Sequence, residues 1–226
     1  KIELIVVDGF SSDKTIELIL TKFPRFKLIQ AEPRGPHLAL NSGFAAANGD
    51  IVCWLNADDF YVSESVLSDV VKIFTSPHAI DFLYTHSWVV DQHGEIIKKL
   101  ICWNMFFPEH RFGSNIFTGS LFFRKSVWQD FGGFNPRYSL AFEYELLDFL
   151  FKKRTGFLLD SFSSALRIHD NTLSSMYRDE MKKQLTELWG HVPTVTMRHR
   201  IRRLRRLHEQ GLLIDTLQSS ILSRLK

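Results

Sequence analysis

Apolar positions early in the chain alternate between short unbroken runs and stretches of helical spacing. Residues 2–7 (Ile-Glu-Leu-Ile-Val-Val) form a run ending at Asp8, the pattern of a buried strand. Gly9 and the Ser11-Ser12-Asp13 cluster make a turn, and Asp13 is placed to cap a helix over 14–22. A short strand over 27–30 and the loop Glu32-Pro33-Arg34-Gly35-Pro36 lead to an Ala-rich helix over 38–47, stopped by Asn48-Gly49. Ile51-Val52-Cys53-Trp54-Leu55 is the next buried strand, and Val66, Val70, Ile73 and Phe74 fall at helical intervals after a Ser63 cap. Strand and helix alternating in this way predict a mostly parallel α/β sheet with flanking helices.

The middle of the chain changes pattern. Residues 81–90 and 95–101 read as strands around the turn Asp91-Gln92-His93-Gly94, a β-hairpin. Residues 119–124 form another strand, 126–131 a short helix ended by Gly132-Gly133, and 140–153 a helix carrying Glu143, Glu145 and Asp148. Final short strands are expected at 156–160 and 164–169. From about Met176 the pattern is helical, and six arginines fall between Arg198 and Arg206 with Ile201, Leu204 and Leu207 at the opposite spacing. The expected organisation is one α/β domain over 1–175 and a helical, Arg-rich extension over 176–226.

Bulk composition narrows the classes. A chain of 226 residues that is 45% hydrophobic, with 20 Phe, can build a sizeable core. A net charge of +3 does not imply a nucleic-acid partner. Cys53 and Cys102 form no disulfide framework, which favours a reducing compartment. No apolar run reaches the length of a membrane span. The chain starts with Lys1 inside an apolar run, so it is expected to be a piece of a longer protein cut near or after a first strand.

Chemistry concentrates at Asn56-Ala57-Asp58-Asp59, directly after the third strand. The carboxyl ends of strands are where open α/β sheets bind ligands. Two adjacent carboxylates there repel unless something positive lies before them, and a divalent metal carrying a phosphate is one such group. A solvated, Asp-capped turn is the other reading.

The ordered set Val7-Asp8-Gly9-Phe10-Ser11, Glu32-Pro33-Arg34-Gly35, Ala39-Leu40-Asn41-Ser42-Gly43, Gly49-Asp50-Ile51-Val52 and Leu55-Asn56-Ala57-Asp58-Asp59 resembles the inverting family-2 glycosyltransferases, which have the GT-A fold. Gly132-Gly133-Phe134-Asn135, Phe142-Glu143-Tyr144-Glu145-Leu146 and Arg167-Ile168-His169 are similar to that family's acceptor-side and C-terminal elements. The resemblance spans about residues 2–175. It implies transfer of a sugar from a nucleotide-diphospho-sugar to a hydroxyl of a saccharide or lipid-linked acceptor, with inversion and the help of Mn²⁺ or Mg²⁺, as in polysaccharide biosynthesis. It implies Asp59 and His169 as metal ligands, and Asp58, Asp8, Arg34 and Asn41 on the donor side. Glu143 becomes the catalytic base, with Glu145 as its competitor and a substrate-side candidate. Many members carry Asp where this chain has Glu143, and the added methylene moves the carboxylate outward.

Each assignment has a structural alternative. Asp8 suits a turn, His169 a satisfied structural role, and Glu143 a first-turn acid complementing a helix dipole. Trp54 is expected in the core, whereas Trp103 is a candidate for stacking on a sugar. The alternative function reading is a non-catalytic nucleotide-sugar-binding or scaffold module with the same fold. The arginines suit a solvated helix face or peripheral contact with an anionic membrane, so the expected location is cytoplasmic, at the inner face of a membrane. Nucleic acid is not an expected partner, because the acids at the sheet edge repel phosphates and no aromatic-interleaved basic patch is present.

Overall fold

The computed structural model describes residues 1–103, 116–169 and 177–190. Its elements run β1 (Ile5–Asp8), α1 (Thr15–Lys22), β2 (Lys27–Gln30), α2 (Pro36–Ala46), β3 (Ile51–Val52), β4 (Phe60–Tyr61), α3 (Val66–Phe74), β5 (Phe82–Val90) and β6 (Ile96–Leu100). A 3-10 turn at Thr118–Ser120 leads into β7 (Leu121–Arg124), followed by α4 (Lys125–Phe131), α5 (Phe142–Lys153), β8 (Gly156–Arg167) and α6 (Arg178–Trp189).

The strands make two sheets. β1 and β2 pair in parallel as one. The other has the order β3-β7-β5-β8-β4, with β6 added along β5. This larger sheet is mixed. β5 and β8 run parallel, while β7 and β6 run antiparallel to β5, β3 to β7, and β4 to β8. Antiparallel pairing of β3 follows from where the chain goes after Val52. It turns at Asp58-Asp59, and β7 returns beside it much later with Val52 opposite Phe123.

β5 is the centre. Eight of its nine residues are buried, with Trp88 alone half-exposed. Alternate side chains feed two cores. Phe82 and Tyr84 join Phe44, Trp54, Phe123, Trp128, Phe134 and Leu146 on the face covered by α2, α4 and α5. Leu83 meets Val66, Val70, Phe74 and Phe122 on the α3 face. Trp54 lies in the first core, as expected. Trp103 is also buried there, and its carbonyl accepts a hydrogen bond from the Tyr84 hydroxyl at 3.0 Å. That burial removes it as an open stacking face.

Two expected strands over 156–160 and 164–169 are one strand, β8. Thr85 pairs with Leu159 but His86 with Phe162, so the strand bulges around Asp160 and Ser161 and continues. Helix starts also differ in detail. Asp13 does bind the Thr15 amide at 2.9 Å, but α3 begins at Val66 after Ser65 and not at a Ser63 cap. The Arg198–Arg206 segment and residues 104–115 lie outside the described residues. No helix among the described residues is long and apolar enough to cross a membrane.

Candidate active site

Residues 56–59 turn tightly between β3 and β4, with the Asp59 amide donating to the Asn56 carbonyl at 3.2 Å. Asn56 Nδ2 donates to Asp59 Oδ2 at 2.8 Å, and the Arg167 amide donates to Asp59 Oδ1 at 2.8 Å. Arg167 fastens this turn in a second way. Its Nε donates to the Asp58 carbonyl at 3.0 Å, and its Nη1 donates to the carbonyls of Asp91 and Gln92. One guanidinium therefore ties the acidic turn to the β5–β6 turn at the C-terminal end of β5. Sequence reasoning noted Arg167 only as a neighbour of His169, since a charge alternating with apolar positions gives no sign of a backbone clamp.

His169, just past β8, brings Nε2 to 3.0 Å from Asp58 Oδ2. So Asp59 and His169, expected as metal ligands, and Asp58, expected on the donor side, lie at one edge. Burial raises the Asp59 carboxyl above the usual aspartate range, opposed by its hydrogen bonds and reinforced by the charge of Asp58. Among the described residues no cluster of three or more ligands is already converged for a metal.

Glu143 sits in the first turn of α5, half-buried. The Thr118 hydroxyl donates to its Oε1 at 2.9 Å. Burial pushes the Glu143 carboxyl above the usual range; the Thr118 bond opposes that, and the negative charge of Asp59 adds to it. Glu143 and the acidic turn thus share one electrostatic environment. Glu145 takes a different place: its Oε2 accepts from the Asn135 amide at 3.3 Å and steadies the turn before α5. Asn41, on α2, grips the same turn through its amide. Nδ2 donates to the Phe134 carbonyl at 3.0 Å, and Oδ1 accepts from the Phe134 amide at 2.8 Å. Gly133, at φ +91°, is required here, since a Cβ would stand 3.3 Å from Asn41 Oδ1.

Asp8 ends β1 and is buried. It accepts from the hydroxyl and amide of Ser11, which hold its carboxyl below the usual range. Beside it opens a cleft of about 250 Å³, lined by Val7, Asp8, Gly9, Ala31, Glu32, Pro33, Gly35, Pro36 and Ala39. Arg34 is exposed on the same loop and is not one of the lining residues. His37, next to the lining residue Pro36, has its ring centroid 6.0 Å from that of Phe142, the residue before Glu143. His37 is buried, and its burial favours the neutral form.

Two residues here escaped the sequence reading besides Arg167. Thr118 lies in a Thr-Gly-Ser turn whose signal was absorbed into the following apolar strand. His37 lies between the 32–36 loop and the helix expected from 38, and the sequence reading assigned it no role.

Comparisons with known proteins fall on the same elements. The family model described as "Glycosyl transferase family 2" matches residues 1–131. A "Probable glycosyltransferase YdaM" of Bacillus subtilis is 38% identical over 66 residues, covering 26% of this chain and 16% of that protein. A "PGL/p-HBAD biosynthesis glycosyltransferase" of Mycobacterium bovis is 25% identical over 151 residues, 63% of this chain and 56% of that protein. The chain therefore spans about half, or less, of the length of these curated relatives. Among solved structures, S. aureus TarS 1-349 in complex with UDP-GlcNAc gives a TM-score of 0.64 at 15% identity, covering 80% of this chain and 55% of the other. The mannosyltransferase PcManGT from Pyrobaculum calidifontis, in complex with GDP-Man and Mn²⁺, covers 86% of this chain and 57% of its own, with a TM-score of 0.58. These likenesses show the GT-A type of fold.

Proposed function

The chain belongs to glycosyl transferase family 2, and from that premise we propose that it transfers a sugar from a nucleoside-diphosphate sugar to a hydroxyl group, with inversion. The observation that carries the reading is Glu143, a half-buried carboxylate of raised basicity held by Thr118 in the field of the Asp58-Asp59 turn. In a single displacement the acceptor oxygen bonds to the anomeric carbon as the bond from that carbon to the diphosphate breaks. The bonding pair leaves with the diphosphate, and the acceptor's hydroxyl proton passes to Glu143. A base must be ionised yet basic near the working pH, and burial moves Glu143 in that direction. The acceptor in this reading is a saccharide or lipid-linked saccharide.

The donor nucleotide belongs at the Asp8 cleft, whose loop walls of Gly9, Pro33 and Gly35 allow close approach of a flat base. A divalent metal fits the acidic turn by its chemistry. Asp58 and His169 already touch, and each Asp59 oxygen keeps a lone pair beyond the one amide bond it accepts. Two carboxylates and an imidazole suit Mn²⁺ or Mg²⁺, with the donor's phosphates as further ligands. When bound, the metal offsets the charge developing on the diphosphate. The Arg167 clamp holds the turn in place for it.

Melting temperature in the presence of Mn²⁺ with UDP, GDP or dTDP is the test. Ligand at a hundred times its Kd adds about 2.7 kcal/mol, which in a chain of this size raises Tm by about 5–10 °C. A metal-dependent rise with one nucleotide, absent in Asp59→Ala, is expected. An equal rise in Asp59→Ala counts against the acidic turn as the metal and diphosphate site.

A further inference from the structure

Glu143 has two carboxylate oxygens, and only one of them is held. Oε1 accepts the hydrogen bond from Thr118, while no described residue bonds Oε2. Thr118 itself is fixed from several sides. It is buried, and as a β-branched residue it has restricted χ1 freedom. The 3-10 turn that carries it is closed by the Ser120 amide donating to the Phe117 carbonyl at 2.8 Å. The Ser120 hydroxyl adds bonds to the carbonyls of Phe117 and Thr85, which anchor the turn to the middle of β5. Gly119 allows the turn to lie flat against the sheet, since a Cβ there would stand 3.0 Å from Leu55 Cδ2 and closer still to the Phe117 ring. The Thr118 hydroxyl is therefore carried on a turn anchored to β5 through Ser120 and directed at a carboxylate on another element.

Resting on the reading of Glu143 as the base, we propose that Thr118 is a positioning residue. Its hydroxyl fixes Oε1, so that Oε2 is the oxygen presented to the acceptor hydroxyl. A glutamate has one more rotatable bond than an aspartate, and the second oxygen of an untethered glutamate sweeps a wider arc. A fixed donor on the first oxygen removes that freedom, which is the requirement for general-base geometry. The same bond stabilises the ionised form of Glu143 against burial. The charged and titratable groups in its surroundings are Asp59 on the acidic turn and Tyr144 on α5; the Tyr144 hydroxyl is itself pushed up to about 12, by burial first and by the charge of Glu143 second. Neither supplies a positive charge, so among the described side chains the Thr118 hydroxyl is the one that favours the carboxylate, beside the N-terminal end of α5.

The test is a titration of the Glu143 side-chain carboxyl by ¹³C NMR, assigned by its loss in Glu143→Gln. The titration is paired with turnover of UDP-GlcNAc and GDP-mannose to free sugar, with water as acceptor. Thr118→Val is expected to raise the Glu143 midpoint by about one pH unit. In turnover it is expected to lower kcat about tenfold to a hundredfold with KM for the donor within about twofold. The acidic limb of the rate profile moves to higher pH by the same amount, and Thr118→Ser restores both. Thr118→Ala, which removes the hydroxyl and the γ-methyl together and so introduces no apolar group against the buried turn, gives the same displacement should the valine variant not fold. An unchanged Glu143 midpoint in a folded variant lacking the hydroxyl overturns the positioning role alone. Wild-type turnover by Glu143→Gln overturns the base assignment, and the positioning role with it.

Discussion

β1 and β5 look alike as sequence and behave differently in the fold. Each is an apolar run bounded by an acid, yet β5 is almost wholly buried while only Asp8 of β1 is. β5 has β7 and β8 on its two sides, with β6 along its end, and helices on both faces; β1 pairs with β2 alone among the described residues. Large apolar side chains around β1 stay exposed: Ile2 at 65%, Phe10 at 54% and Leu20 at 58%. Hydrophobic content therefore did not decide burial here; the number of ladder partners did. The two halves of the site divide along the same line. Glu143 and the acidic turn rest on the β5 sheet, and the Asp8 cleft rests on β1 and β2. Chemistry needs positions fixed to a fraction of an ångström, and the half that carries Glu143 is the one with more ladder partners.

That division predicts unequal losses. Glu143→Gln keeps the shape of the side chain, including an acceptor for Thr118, and removes the base. Turnover is expected to fall about 10²- to 10⁴-fold, while nucleotide-induced stabilisation stays at the wild-type value. A parallel loss of nucleotide binding would join the two halves and break the comparison.

The next effect is on stability. Leu83 is fully buried in β5 against Val70 and Phe122. Leu83→Ala is expected to lower unfolding free energy by about 3 kcal/mol, the midrange for such truncations. Ile5→Ala on β1, half-buried, is expected to remove about 1 kcal/mol, because less contact area is lost. Denaturant unfolding of both variants measures this, and equal losses would mean that β1 is as firmly packed as β5.

These contrasts also mark what was legible in the sequence. The positions of the acidic turn, Asp8, Glu143 and His169 were readable because each lies at the end of an element whose apolar pattern is unambiguous. Asp58 and His169 do come together, as do Glu143 and the charge of Asp59. Asn41 and Glu145 were expected on the substrate side, and their hydrogen bonds to the turn before α5 were not foreseen. Both hold the turn at Phe134 and Asn135, a task that depends on distant backbone amides. Arg167 and Thr118 were missed for the same reason, since their partners lie 108 and 25 residues away. The parallel reading of β3 and the split of β8 into two strands came from treating local periodicity as topology. A bulge at Asp160 interrupts the period without ending the ladder.

The smallest expected effect is the most direct comparison of the two halves, because it sets one carboxylate of each against the other. Ser11 holds the Asp8 carboxyl below the usual range, so Asp8 contributes stability above its unfolded pKa and loses it as pH falls through the lower folded value. Burial holds Glu143 above the usual range, so the sign reverses: its contribution is fully present below the unfolded pKa and is lost as pH rises through the higher folded value. Carboxyl ¹³C titration should therefore place the Asp8 midpoint below that of an ordinary aspartate and the Glu143 midpoint above that of an ordinary glutamate. Asp8→Asn should weaken nucleotide binding about tenfold, roughly 1.4 kcal/mol, and leave kcat nearly unchanged. It should also leave the Glu143 midpoint where it was, since among the described residues no interaction links the two carboxylates. A shift of Glu143 on changing Asp8 would show that the β1–β2 half of the site reaches into the β5 half, through the contact of His37 with Phe142.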